Sequence, residues 1–154
     1  MNKQPTSRMC FVCGERNAAG LHVHFYEQED GSLLAKFTGA EHHQSYPGRM
    51  HGGAITAILD ETIGRAIMMR YGDSIWGVTV ELNVRFLKPV PLDAPLTAIG
   101  RITVDKSRIF EGTGELHLPD GTIAASCEGK YIKMDINKIA DFDEEREEWY
   151  VRPD

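Results

Sequence analysis

Cysteine, positive charge and long apolar runs are all scarce in this sequence. No stretch of about 18 apolar residues occurs, so a membrane-spanning segment is not expected. The first twenty residues lack the basic-then-apolar pattern of a signal peptide, and we therefore expect a cytoplasmic location. The chain contains three cysteines, and this odd number argues against a disulfide framework.

The charge balance is acidic. Lys and Arg together number 17 against 23 Asp and Glu, which gives a formal net charge of -6. No basic block offers a track for phosphates, so we expect no nucleic-acid partner. A local basic pocket for one phosphorylated ligand is still compatible with this balance. The hydrophobic content of 42% and the length of 154 residues suit one globular domain with a real core.

One long helix organises the rest of the chain. Residues 50–69 carry apolar side chains at the i, i+3, i+4 spacing of an amphipathic helix, which is entered through His51-Gly52-Gly53. Almost everything else has the pattern of strands. A lone long helix in such a chain packs most economically against one face of a sheet. The sequence therefore predicts an α+β fold.

Six segments are candidates for the strands, namely 21–26, 33–37, 76–87, 96–104, 108–118 and 122–134. The segment 76–87 alternates apolar with polar residues over its whole length, which is typical of a strand with one buried face. Asp-Gly turn signals separate neighbouring segments. We predict a flexible N-terminus at 1–9, one domain over 10–134 and an acidic C-terminal tail at 135–154. We expect this tail to be solvated and partly helical, and docking on the domain through Trp149 and Tyr150 is the alternative.

Near the N-terminus, Cys10-Phe11-Val12-Cys13-Gly14 forms a C-x-x-C-G turn. One interpretation is half of a zinc site, completed by His22 and His24 on one face of the following strand. The other is a turn whose small sulfur side chains pack under the sheet. A zinc ribbon normally needs a second pair of cysteines, whereas Cys127 stands alone, so we expect no metal here.

The start of the helix is a candidate binding site. Its first backbone N–H groups have no partner within the helix and lie at the positive end of the helix dipole. Gly52 and Gly53 leave those groups approachable because they have no Cβ. This arrangement suits an anion, or a carbonyl oxygen that develops negative charge in acyl transfer. The simpler alternative is that the two glycines only make the turn into the helix.

Asp60 and Glu61 form an acidic pair on this mostly buried helix. They lie about 100° apart on the helical wheel, so only one can point at a shared site, and we favour Asp60. Asp60 lies about 12 Å along the helix from Gly52, too far for one small acyl group to contact both. A two-fold dimer with antiparallel helices would bring each helix start near the Asp60 of the other copy.

These residues together resemble a known family. His51-Gly52-Gly53 followed by Asp60 is similar to the pattern of the hotdog-fold acyl-CoA thioesterases, particularly the PaaI-type branch. The C-x-x-C-G turn and the glycine and leucine that follow it, within 10–21, resemble a subgroup of these proteins. The stretch 84–91 resembles the strand that follows the helix in the same family. The resemblance covers roughly residues 10–134.

The resemblance implies a hotdog fold, in which an antiparallel β-sheet of five or six strands wraps around one long central α-helix. It implies hydrolysis of an acyl-CoA thioester to free acid and CoA by a homodimer or a dimer of dimers, with no cofactor beyond the coenzyme A of the substrate. Asp60 would attack or activate water, while Gly52 polarises the carbonyl and His51 sits beside it. Thr79 falls where relatives place a Ser or Thr that helps hold the water.

Other positions are less well defined by the resemblance. Relatives usually carry Asn or Gln six positions before the histidine, where this chain has Ser45 with Gln44 beside it. We expect substrate contacts from Gln44, Gly53 and Glu61. Because CoA carries phosphates, basic residues should also rim the site. The basic candidates are Arg49, Arg85, Lys88, Lys106 and Arg108. Of these we assign substrate contacts to Arg85 and Arg108.

Two other functions are consistent with the sequence. The departure at Ser45 leaves open a non-catalytic acyl or CoA-thioester binding protein on the same fold. The C-x-x-C-G turn leaves open a small metal-stabilised interaction module. A hotdog dehydratase is disfavoured because its usual Asp and His pattern does not surround this helix.

Overall fold

The computed structural model describes all residues from 1 to 154. Its strands are β1 (Asn2–Lys3), β2 (His24–Glu27), β3 (Leu33–Thr38), β4 (Ile75–Phe86), β5 (Pro95–Asp105), β6 (Ile109–His117) and β7 (Ile123–Asp135). Its α-helices are α1 (Gly52–Ala66), α2 (Met68–Tyr71) and α3 (Ile136–Ile139), and 3₁₀ turns occupy Glu41–His43 and Gly72–Ser74. None of these helices combines the length and the apolar character that crossing a bilayer requires.

The strands form one antiparallel sheet in the order β1-β2-β3-β5-β6-β7-β4. The helix α1 packs against strands β3 to β7. The sheet therefore has seven strands where the resemblance implies five or six. The additional strand, β1, has only two residues, too few for any apolar alternation to reveal it.

Two glycines of the sheet allow α1 to approach β5 and β6 closely. A Cβ atom at Gly100 would lie 2.7 Å from the carbonyl oxygen of Thr62, and one at Gly112 would lie 2.6 Å from a methyl group of Ile63. Both distances are well inside van der Waals contact, so only glycine fits without displacing the helix. The sheet can therefore curve around α1. Fully buried side chains of α1 pack in the space between the helix and the concave face of the sheet, and they include Ile58, Leu59 and Ile63.

Both ends of the chain lie against the domain. The N–H of Thr6 donates to the carbonyl oxygen of Tyr150 at 3.1 Å, and Trp149 is buried against Trp76, with ring centroids 4.8 Å apart. Residues within the segments 1–9 and 135–154 thus contact the rest of the chain. In the C-terminal segment, the buried aromatic side chain of Trp149 holds a stretch whose other residues are mostly charged.

Strand β4 is an edge strand of 12 residues that pairs only with β7. Its side chains are more exposed than the predicted buried face requires, since Val80 is 60% and Phe86 55% exposed. Only Leu82 and Val84 pack against the core from this strand. A long edge with exposed apolar side chains is a surface on which another strand can pair.

Candidate active site

A β-bulge in β4 determines which of its side chains face α1. Thr79 and Glu81 lie opposite consecutive residues of β7, so Val80 is an extra residue in the strand. Thr79 faces the helix before the bulge, and Leu82 faces the core after it. Strict alternation predicts that these two residues lie on opposite sides. The bulge explains the difference, because one inserted residue reverses the alternation.

Asp60 lies half-buried on α1 and faces the first half of β4. Its Oδ1 accepts a hydrogen bond from Thr79 Oγ1 at 2.8 Å and another from the Tyr131 hydroxyl at 3.1 Å. No group of the chain donates to Asp60 Oδ2. The carboxylate is therefore held in place through one oxygen, while the other is free to contact a ligand or a water molecule.

Tyr131 is a site residue that the sequence patterns did not indicate. It lies on β7 directly opposite Thr79, and its buried ring stacks on Phe110 with centroids 4.9 Å apart. Burial, together with the neighbouring charge of Asp60, raises the pKa of the Tyr131 hydroxyl far above its ordinary range. The hydroxyl therefore stays protonated and donates to Asp60. A tyrosine among inward-facing β7 residues was the only available signal.

Asp60 borders a cavity of about 260 Å³ between α1 and the first half of β4. Glu61 borders the same cavity, although the helical wheel predicts that only one of the two acids can face a shared site. The structure differs because the cavity extends along and around the helix. Other residues of its wall include Cys10, Arg65, Trp76, Thr79 and Tyr131.

Glu61 belongs to a second polar cluster in this wall. Its Oε1 accepts from Arg65 Nε at 2.8 Å, and its Oε2 accepts from Cys10 Sγ at 3.3 Å. Arg65 also donates to Cys13 Sγ at 3.0 Å. Interaction with the Cys13 side chain raises the pKa of Cys10, and burial adds to this effect. The same interaction lowers the pKa of Cys13, with a further contribution from the charge of Arg65.

His22 and His24, which one interpretation of the C-x-x-C-G turn placed in a zinc site, lie elsewhere. His22 has a left-handed backbone, with φ of 51°, and its Nε2 lies 2.7 Å from the carbonyl oxygen of Asn17. His24 Nε2 lies 2.8 Å from a carboxylate oxygen of Glu15. Because β2 begins only at His24, the two rings do not share a strand face. The structure therefore does not support that interpretation, and the acid that lies beside the two cysteines is Glu61.

The start of α1 is organised by His51. This residue is the N-cap, and its Nδ1 accepts the N–H of Gly53 at 2.8 Å. The Gly53 amide is therefore used within the chain, which differs from the expectation that both glycine amides are approachable. The N–H of Gly52 has no partner in the chain. One backbone donor at the positive end of the helix is thus available.

Gly52 lies in a second pocket, of about 410 Å³, which we call the mouth pocket. Phe86, at the end of β4, forms one wall, and a Cβ on Gly52 would lie 3.4 Å from its ring. Two cations, Arg49 and Lys88, also line the mouth pocket. The arrangement can receive a carbonyl oxygen at the amide and a negatively charged group at the rim.

The remaining predicted site residues are dispersed. Ser45 lines the mouth pocket, and its Oγ accepts the N–H of Tyr46 at 2.6 Å. Gln44 accepts the N–H of Gly48 at 3.0 Å and so braces the loop before the helix. Arg85 lies in a groove on the opposite face of the sheet, and Arg108 is exposed between β5 and β6. Neither Arg85 nor Arg108 lines the Asp60 cavity or the mouth pocket.

The Asp60 cavity and the mouth pocket are separate within one chain. They share no lining residue, and Gly52 and Asp60 are about 12 Å apart along α1. The cavity adjoins the first half of β4, at Trp76 and Thr79, whereas the mouth pocket adjoins its end at Phe86. One copy of the chain therefore does not bring the free amide and the carboxylate to the same carbonyl.

An antiparallel sheet curved around one long central helix defines the hotdog class of proteins. The sequence profile of the Thioesterase superfamily matches residues 47–125, which is 79 of the 154 residues. The chain belongs to this superfamily. The family and the fold that the resemblance implied are thereby confirmed.

Curated relatives carry a more specific name. The acyl-coenzyme A thioesterase THEM4 of Rattus norvegicus is 28% identical over 115 residues, which cover 74% of this chain and 48% of that protein. THEM4 of Bos taurus is 25% identical over 130 residues, which cover 83% of this chain and 52% of that protein. The chain thus spans about half the length of the curated relatives it matches.

Solved structures share the same architecture. The crystal structure of a thioesterase superfamily protein has a TM-score of 0.72 at 31% identity and covers 80% of this chain and 63% of that chain. The PaaI protein of E. coli has a TM-score of 0.66 at 17% identity, and the match covers 74% of this chain and 80% of that chain. A hypothetical thioesterase protein from Streptococcus pneumoniae, solved with coenzyme A, has a TM-score of 0.65 at 18% identity, and the match covers 73% of this chain and 89% of that chain. The last two similarities concern the fold alone.

Proposed function

We propose that this protein is an acyl-coenzyme A thioesterase that hydrolyses an acyl-CoA thioester to free acid and CoA. The observation that carries the proposal is the carboxylate of Asp60, which lines a cavity and is held through Oδ1 by two donors while Oδ2 has no donor from the chain. A carboxylate placed in this way can act as a general base on water or as a nucleophile. Membership of the Thioesterase superfamily and the similarity to THEM4 support the same chemistry.

The reaction requires two copies of the chain. The midpoint of β4 falls between Val80 and Glu81, so antiparallel two-fold pairing of two β4 edges about this point brings the end of one strand beside the start of the other. The mouth pocket of one copy then adjoins the Asp60 cavity of its partner, and the dimer contains two composite sites. The unpaired edge and the exposed side chains of Val80 and Phe86 support this pairing.

In each composite site the two halves have complementary roles. The N–H of Gly52 polarises the thioester carbonyl and stabilises the negative charge that develops on its oxygen. Asp60 of the other copy removes a proton from the attacking water, or attacks the carbonyl carbon directly to form a mixed anhydride that a water molecule then hydrolyses to free acid. Thr79 and Tyr131 keep that carboxylate oriented, and His51 maintains the helix start. The carbon–sulfur bond breaks, and the CoA sulfur leaves as a thiolate that takes up a proton.

The cations of the mouth pocket suit the phosphates of coenzyme A. Arg49 and Lys88 share this pocket with Gly52, whereas Arg85 and Arg108 lie outside both sites. We therefore assign phosphate contacts to Arg49 and Lys88 in place of the two arginines favoured from the sequence. Guanidinium and ammonium groups form charge-assisted hydrogen bonds with phosphate oxygens.

Thiol release from acyl-CoA tests the proposal. Short, long and aryl acyl-CoAs are incubated with the native protein, with Asp60→Asn, and with Asp30→Asn as the matched control in the exposed turn between β2 and β3. The expected result is release of free thiol by the native protein and the control, and a rate lower by about 10²–10⁴-fold in Asp60→Asn, because the base or nucleophile is lost.

Two results would contradict this function. One is an Asp60→Asn variant that keeps the native rate. The other is native protein that binds acyl-CoA without releasing thiol from any member of the panel, which would favour a CoA-thioester binding protein on the same fold.

A further inference from the structure

The C-x-x-C-G turn has no role in the proposed hydrolysis, yet its sulfur atoms meet an acid from α1. Cys10 Sγ, Cys13 Sγ and a carboxylate oxygen of Glu61 all lie within 4.8 Å of one another. We propose that these three side chains form a binding site for one divalent transition-metal ion, with zinc as the expected ion. Thiolate and carboxylate ligands are a combination that zinc accepts.

The separation of the ligand atoms suits a tetrahedral ion. With zinc–sulfur bonds of about 2.3 Å and zinc–oxygen bonds of about 2.0 Å, neighbouring ligand atoms lie roughly 3.5–3.8 Å apart. Cys10 Sγ and Glu61 Oε2 are 3.3 Å apart, so little movement is needed to admit the ion. The N–H of Val12 lies 3.4 Å from Cys10 Sγ. This backbone donor orients the sulfur within the turn.

Arg65 supports the cluster from outside. It donates from Nε to Glu61 Oε1 and from a terminal nitrogen to Cys13 Sγ, so it links two of the three ligands. By engaging Oε1 it leaves Oε2 directed at Cys10. Its guanidinium is buried over the rings of Phe25 and Trp149, at 4.4 and 5.0 Å from their centroids. Outer donors of this kind orient metal ligands and tune their affinity.

The formal charges also favour a divalent cation. Two thiolates and one carboxylate bring three negative charges, and Arg65 brings one positive charge. A divalent ion makes the sum zero, and charges in a buried site are tolerated when they are paired. A reversible disulfide between Cys10 and Cys13 is the competing use of the pair. It would leave unexplained why Glu61 lies beside both sulfur atoms.

The site has an open side. Cys10 and Glu61 border the same cavity as Asp60, whereas Cys13 lies behind them and is 1% exposed. Three protein ligands leave the fourth position of a zinc ion for water or for a polar group of a bound molecule. That position would face the cavity.

Metal titration of the full-length chain tests the proposal. The protein is reduced, freed of metal with a chelator, and titrated with zinc alone in competition with a chromophoric chelator. We expect about one zinc per chain, and cobalt(II) in its place should give the visible bands of a tetrahedral site and thiolate-to-cobalt charge-transfer bands. Cys10→Ser and Cys13→Ser should each lower the zinc affinity by more than about 100-fold, beyond the usual loss for an outer-shell change.

Two further variants keep the test decisive if the serine variants do not fold. Glu61→Gln retains the shape of the side chain and should lower zinc affinity by at least about 10-fold while the cobalt–thiolate bands persist. Cys127→Ser removes the third cysteine, which lies apart on β7, and should bind zinc as the native chain does. Asp60→Asn should also bind zinc as the native chain does, because Asp60 is not one of the three ligands. The metal site can therefore be confirmed even if the protein proves to have no thioesterase activity.

Specific results would overturn the metal site. Uptake below about 0.1 zinc per chain would do so, as would equal weakening by Cys127→Ser or an unchanged affinity in Glu61→Gln. Loss of two free thiols on treatment with oxidised glutathione, in a protein that takes up no zinc, would assign the pair to disulfide chemistry instead.

Discussion

The two polar sites of this chain are constructed in opposite ways. At the Asp60 cavity, side chains from α1, β4 and β7 converge and hydrogen-bond one another. At the mouth pocket, the important donor is the backbone amide of Gly52, and the groups around it come from loops and from the end of β4. Every polar contact of the cavity therefore depends on long-range packing, whereas the donor of the mouth pocket is set by its neighbours in sequence and only part of the pocket wall, at Phe86 and Lys88, comes from a distant segment. Under the proposed mechanism neither site is complete without a second copy.

The largest effect on thiol release should come from preventing the pairing of two chains, which separates the mouth pocket of one copy from the Asp60 cavity of the other. Val80→Asp introduces like charges near the midpoint of two paired β4 strands, and like charges directly opposite each other are destabilising. We expect a monomer in sedimentation experiments, native circular dichroism and thiol release at background level. Ile139→Asp, at an exposed residue of α3, is the matched control. An active Val80→Asp monomer would show that each chain works by itself.

A smaller effect should come from loosening the Asp60 carboxylate while the dimer persists. Thr79→Val and Tyr131→Phe each remove one donor to Oδ1, and a hydrogen bond to a charged group contributes about 1.5–3 kcal/mol. We expect kcat for thiol release to fall by roughly 10- to 150-fold in each variant. Tyr71→Phe removes a hydroxyl outside the cavity and should keep the native kcat. Native rates in both cavity variants would mean that the orientation of Asp60 does not limit the reaction.

The smallest effect should come from the rim of the mouth pocket. Arg49→Gln and Lys88→Gln should each raise KM for acyl-CoA by about two- to five-fold, because exposed charges contribute little, and the effect should shrink at high salt. A thioester without phosphates should respond to neither change. Arg85→Gln is the control from the other face of the sheet. If Arg85→Gln raised KM more than Arg49→Gln, the phosphate assignment would be reversed.

Local patterns predicted the parts of the molecule that local interactions form. The 3.6-residue periodicity predicted the helix, and His51-Gly52-Gly53 predicted its entrance, because capping and backbone donors involve neighbouring residues. Alternation predicted β4 but not the bulge at Val80, which depends on pairing with β7. Thr79 was therefore singled out by resemblance alone, and alternation directed it away from the helix on which Asp60 lies.

Contacts between distant segments escaped every sequence pattern. Spacing along the chain led from the cysteines to His22 and His24, whereas packing brought Glu61 to them across a separation of 51 residues from Cys10. Tyr131 lies 71 residues from Asp60, and nothing near either residue indicates their contact. For the C-terminal tail, the sequence offered docking through Trp149 as an alternative, but the charged residues around it favoured a solvated tail.

The amino-acid sequence by itself determined the elements of this protein: one amphipathic helix with a glycine entrance, several alternating strands and an acid in the middle of the helix. Short-range sterics and apolar periodicity suffice for these. Only the tertiary structure decided which oxygen of Asp60 is held, which basic residues share a pocket with Gly52 and which acid meets the cysteines. Those outcomes depend on the curvature of the sheet and on one inserted residue in β4, and both arise when distant segments pack together.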